Sequence, residues 1–192
     1  LVCLVGSEMC IRDRYNIKMT YNDQILQKEF EIVKDPRVKI SQADYEDQLE
    51  FLINVRDEVS RANQKIIDIR NIKNNMIFIS EKTRDNTELQ EMINNYLTDV
   101  SEIENNIHMT KNQSRQDPLN YGIRINNRIA FLLADSQRGD YPPTDQSKEF
   151  FNQVKGELDS EVMKLDALID KHSQKIENYL EENKIELISL KN

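Results

Sequence analysis

Cysteine is nearly missing from this chain: two occur in 192 residues, Cys3 and Cys10. A disulfide-rich scaffold and a thiolate zinc site are excluded by that scarcity. Tryptophan is absent and aromatics make up 7%, which argues against a stacked platform for sugars. Only four glycines and four prolines punctuate the chain, so its elements should be few and long. No apolar run approaches the ~20 residues of a membrane span. Basic residues are outnumbered, 26 against 34 acids, for a net charge of −8. Phosphate-backbone binding needs clustered Lys and Arg, so no nucleic-acid partner is expected.

What is present is helical periodicity. From Ser41 to about Ser80 the apolar residues Tyr45, Leu49, Leu52, Val59, Ala62, Ile66, Ile69, Met76 and Ile79 recur at three- and four-residue steps, one stripe of a helix of roughly 60 Å. Ser41 and Asp44 form a helix start with acids in the first turn. A second helix starts near Asn86 or Thr87 with Leu89, Ile93, Tyr96, Val100, Ile103 and Ile107 in register, and Asp117-Pro118 is expected to end it. A short third, from about Tyr121 to Ala134, presents Ile125, Ile129 and Leu132. After a loop from Asp135 to Pro143, Thr144 caps a fourth helix whose stripe is Phe151, Val154, Leu158, Val162, Leu165, Ile169, His172, Ile176 and Tyr179. Gly156 costs that helix about 1 kcal/mol against alanine and marks a candidate close crossing. Short connections make antiparallel neighbours, so a folded-back bundle is favoured over an extended coiled coil.

Residues Tyr15 to Val33 change to period two. Tyr15, Ile17 and Met19 alternate with polar residues, Tyr21-Asn22-Asp23-Gln24 supplies turn chemistry, and Leu26, Lys28, Phe30 and Ile32 follow, the pattern of a β-hairpin. Asp35-Pro36-Arg37 then breaks the strand. A lone hairpin is marginal in water, so it reads as the end of a truncated β-sandwich.

The opening residues Leu1 to Arg14 follow neither pattern. One frame of the transposase adapter used in sequencing libraries translates to Leu-Val-Gly-Ser-Glu-Met-Cys-Ile-Arg-Asp, which is Leu4 through Asp13 residue for residue. Residues 1–14 are therefore set aside as adapter-derived. On that reading both cysteines are foreign and the reading frame was cut at its amino end. The remaining divisions are 15–38, the terminal hairpin, and 39–192, the helical bundle.

Candidate chemistry is sparse. His108 and His172 lie on different helices without metal-ligand spacing. Asp135, Asp140 and Asp145 make an acidic loop, but their spacing is not that of an EF-hand. Arg138-Gly139-Asp140 reads as a turn, and Asn112-Gln113-Ser114 is a formal glycosylation sequon. No phosphate-binding glycine loop or nucleophile elbow occurs. No catalytic, cofactor-binding or metal-ligating residue is assigned, no cofactor is expected, and the fragment is not expected to be an enzyme.

Three stretches carry a resemblance: Phe30-Glu31-Ile32-Val33-Lys34-Asp35-Pro36-Arg37-Val38; Gln116-Asp117-Pro118-Leu119-Asn120-Tyr121 with Ile123-Arg124-Ile125-Asn126-Asn127-Arg128; and Pro143-Thr144-Asp145-Gln146-Ser147. Together they resemble the carboxyl-terminal region of large bacterial BNR-repeat (Asp-box) β-propeller proteins, related to the sortilin amino-terminal domain and commonly labelled glycosyl hydrolases. The chain departs from that pattern at Gly122, where proline would follow the Asn-Tyr pair. The resemblance implies a secreted or envelope-associated parent whose propeller and β-sandwich precede this region and are its partners in the same chain. Any catalytic role would belong to the propeller, so none is carried over. The expected fold is mainly α, an antiparallel helical bundle of three long helices and one short, preceded by the hairpin. The expected role is a non-catalytic structural or interaction module. A self-standing oligomeric coiled coil or adaptor and a carbohydrate-active hydrolase fragment are the alternatives.

Overall fold

A computed structural model describes residues 14–22, 24–33, 35–185 and 187. Residues 1–13, with Cys3 and Cys10, lie outside them, and Arg14 opens the first strand. Asp23 of the expected turn also lies outside.

Strands β1 (Arg14–Tyr21) and β2 (Gln24–Glu31) pair antiparallel, with Tyr21 opposite Gln24 and Arg14 opposite Glu31. The two-residue turn puts Asn22 at φ 43, the left-handed conformation that tight hairpins need and asparagine tolerates. Because partners face the same side, Tyr15, Ile17, Met19 and Tyr21 share one face with Leu26 and Phe30. The Tyr15 and Phe30 rings stack at 5.5 Å. Among the described residues neither strand contacts a helix. Asp35 then turns the chain, its carboxylate accepting from the Arg37 backbone N–H at 2.9 Å and from the Arg37 guanidinium.

Helix α1 (Gln42–Lys82) starts at the expected capping box: the Ser41 hydroxyl accepts from the Asp44 N–H, and the Asp44 carboxylate accepts from the Ser41 N–H at 2.7 Å. It ends where Thr83 donates its N–H to Ile79 O. Helix α2 (Thr87–Ile107) is capped by Asn86, whose side chain accepts from the Leu89 N–H at 3.0 Å. A turn of helix, α3 (Pro118–Tyr121), precedes α4 (Ile125–Ser136), and α5 (Asp145–Glu182) begins under a Thr144 cap.

Cross-links fix the arrangement. Asp47 meets Lys148, Phe51 meets Phe151 and Lys65 meets Asp166, so α1 and α5 run parallel. Glu104 meets Arg70 and Gln90 meets Ser80, while Tyr179 reaches Asn86 and Asn106 reaches Glu161; α2 is therefore antiparallel to both. Arg128 meets Glu157 and the end of α4 meets Gln48, so α4 continues the direction of α2 further along the rods. The bundle is three columns, with the middle one built from α2 and α4 in series. One apolar core runs its length, from Phe51, Val55 and Phe151 through Ala62, Ile129 and Leu158 to Ile69, Ile93, Tyr96, Leu165 and Ile176.

Two boundaries and one expected crossing differ from expectation. Helix α2 stops at Ile107, ahead of Asp117-Pro118, because no apolar residue continues its stripe at 110, 111 or 114. Asp117 instead binds the Gln113 and Ser114 backbone N–H groups at 2.6 and 2.7 Å, a local alternative to helix. Tyr121 is not in the same helix as Ile125, since Gly122 stands between them at φ 76. Proline is locked near φ −65°, so the conformation here excludes the residue that the resemblance places at 122. Gly156 marks no close crossing: its position is exposed, and a Cβ there would meet nothing within 4 Å.

Candidate functional site

The two histidines serve different neighbours. His108, just past α2, has Nδ1 3.2 Å from Asn126 Nδ2. The His172 ring lies flat on Tyr96, centroids 4.9 Å apart, with Nε2 3.4 Å from Asp99 Oδ2. Burial and the flanking Lys171 lower the proton affinity of His172 below the ordinary histidine value, and Asp99 only partly opposes them. Burial raises the pKa of the stacked Tyr96 phenol.

The acidic loop does not converge. Asp140 Oδ2 accepts from the Tyr45 hydroxyl at 3.3 Å, Asp145 is exposed in the first turn of α5, and the Asp135 carbonyl accepts from the Arg138 N–H. Gln48 reaches across from α1 and donates to the carbonyls of Ser136 and Gly139 at 2.8 and 2.7 Å. Arg138-Gly139-Asp140 is thus part of a turn clamped to α1. Asn112 of the sequon is half-buried with its side-chain carbonyl oxygen enclosed. Among the described residues no group of three His, Cys, Asp or Glu side chains is placed to hold a metal ion, and no helix is long and apolar enough to cross a membrane.

The side chains that do converge are ion pairs between columns, which sequence reading missed. Glu104 is 3% exposed on α2, yet it accepts from Arg70 Nε and Lys73 Nζ of α1, both at 2.9 Å. Burial alone would push its carboxyl up, but the hydrogen bonds and charges of Lys73 and Arg70 outweigh that and hold it below the usual glutamate value. Further along, Arg61 bridges Glu58 and Asp159, and Lys155 joins the same two acids at 3.5 and 3.1 Å. Glu157 is held low by the Arg128 guanidinium, which grips it with both terminal nitrogens. Each carboxylate here already has a cation, so none is poised as a proton shuttle; the chemistry is electrostatic register between helices. A stripe of Arg70 and Lys73 opposite Glu104 was the available signal, but it requires knowing which faces meet.

The described residues of the three stretches that carry the resemblance fall in or beside connections between elements. Asp35, Asp117 and Thr144 each use a side-chain oxygen to hold nearby backbone N–H groups. In the second stretch Leu119, Tyr121 and Ile123 are 88%, 47% and 55% exposed. No protein-family model, curated protein or solved structure matches this chain.

Proposed function

We propose that this chain is a non-catalytic structural and interaction module, the carboxyl-terminal region of a larger secreted or envelope-associated bacterial β-propeller protein. The observation that carries this reading is the hairpin. Among the described residues neither strand contacts a helix, and Ile17, Met19 and Leu26 of its apolar face stand 45%, 53% and 59% exposed, with Phe30 at 41%. A two-stranded sheet with an open apolar face is marginal alone, and further strands of a sandwich would complete it. The exposed Leu119, Tyr121 and Ile123 add a second surface suited to contact with another part of the same protein. An odd number of columns also supports a spacing role. The chain enters α1 at one end and leaves α5 at the other, roughly 60 Å away at 1.5 Å per residue.

Recovery of the upstream reading frame in the source DNA tests this. Sandwich and propeller repeats in frame with Tyr15 are expected; a stop codon or intergenic region immediately before that codon overturns the proposal. Residues 15–192 alone should show no turnover of glycosides, and turnover abolished by a point substitution in the chain would favour the hydrolase alternative.

A further inference from the structure

At the exit end, α1 and α5 leave between them an open apolar groove of about 370 Å³, lined by Ile72, Met76, Phe78 and Ile79 of one helix and Ile176 and Leu180 of the other. Phe78 is 42% exposed. The end of α5 is shaped to return chain to this groove. Lys184 takes φ 51, its N–H donates to Glu181 O at 3.1 Å, and the Ile185 N–H donates back to Leu180 O at 2.9 Å. That pair of bonds is a Schellman motif, which stops a helix and reverses the chain, usually with a hydrophobic contact across the turn. Ile185 and Leu180 both pack against the core here, and Leu187 is already part of the groove's lining. In sequence the next apolar residues are Ile188 and Leu190.

We propose that the carboxyl-terminal segment Ile185–Leu190 is the ligand of this groove, an intramolecular apolar peptide bridging α1 and α5. The inference is independent of the proposed function, since it concerns only the bundle. A linked segment competes with any free copy of itself at high effective concentration. In the full chain, Leu187→Asp should therefore speed amide exchange over residues 72–80 and 173–180 about tenfold, and a synthetic peptide of residues 184–192 should bind that variant at least about tenfold more tightly than wild type. The same peptide carrying Leu187→Asp should not bind. Unchanged exchange over residues 72–80, or equal peptide affinity for the two proteins, overturns the proposal. So does a wild-type dimer in sedimentation that Leu187→Asp dissociates, since that outcome assigns the groove to a second copy.

Discussion

Glu104 offers the sharpest test of how the columns are held. Its side chain is almost fully buried on α2 and accepts from two cations of α1. Hydrogen bonds to charged groups contribute about 1.5–3 kcal/mol each, and an enclosed carboxylate left without partners costs several kcal/mol. The partners are not trapped: the Arg70 side chain is 54% exposed and that of Lys73 28%. Glu104→Gln keeps the volume but replaces one acceptor with an NH2 donor facing cations, leaving a buried donor unpaired; the expected loss is about 2–3 kcal/mol. Glu104→Leu removes the buried polar group altogether and lets both cations turn to water, so its effect should lie within about 1 kcal/mol of wild type. The ordering, with the isosteric change worse than the apolar one, follows only if the carboxylate is desolvated as well as paired. Urea unfolding of the two variants at pH 7 measures it.

The same site has a pH signature. The folded pKa of Glu104 is depressed, so its contribution is full above the ordinary value near 4.5 and is lost as pH falls through the lower folded value. Wild type and Glu104→Gln should converge in stability over that acidic window. If Glu104→Leu proves more damaging than Glu104→Gln, or if the gap between wild type and Glu104→Gln persists unchanged into acid, the account of this pair is refuted.

Gly156→Ala should stabilise the protein by about 1 kcal/mol, a gain of about 2–4 °C in Tm for a chain of this size, because the helix is regular and the space is open; a loss measured by calorimetry would mean that something presses on α5 there. Lys184→Gly should add about 1 kcal/mol in urea unfolding by removing the cost of a side chain in the left-handed conformation. Burial and the flanking Lys171 lower the proton affinity of His172 in the fold. Its stabilising term is therefore complete above about pH 6.5 and is lost as pH falls from there through the lower folded value. His172→Phe should flatten that part of the stability profile, as followed by Tm between pH 8 and pH 5, and an unaltered profile would remove His172 as its cause.

Most of the helices were legible because periodicity reports burial directly. Every residue of the expected α2 stripe from Leu89 to Ile107 is buried. The α1 stripe was incomplete: it passed over Phe51 and Val55, both in the core. The reason is that α1 serves successive partners, packing its first half on α4 with Phe51 against the Phe151 ring of α5 and its second half on α2. A helix with changing neighbours has a buried face that rotates and widens along its length, which a single spacing rule undercounts. Proline does not set the end of α2, because the side chain of Asp117 draws the backbone at 113 and 114 away from helix before it. Cross-column ion pairs were beyond sequence reading, since like residues on solvated faces look identical until the register of α1 and α5 is known.

That register spans a discontinuous middle column. Between Ile107 and Ile125 the middle column has no continuous helix, and Asn112, Arg124, Asn126 and Asn127 each keep a buried side-chain atom without a protein partner, a local cost in stability. A bundle whose columns all changed at one level would hinge there. Here α1 and α5 cross that level uninterrupted. The contacts of Asn106 with Glu161 and of Arg128 with Glu157 bring both sides of the break onto one short stretch of α5. Next to that stretch, Glu58, Arg61, Lys155 and Asp159 tie α5 to α1 in one alternating network. Individually such half-exposed pairs contribute little, but a four-member network opposing sliding of two parallel helices fixes their relative height. The two outer helices therefore carry the length of the bundle past the break in its middle column.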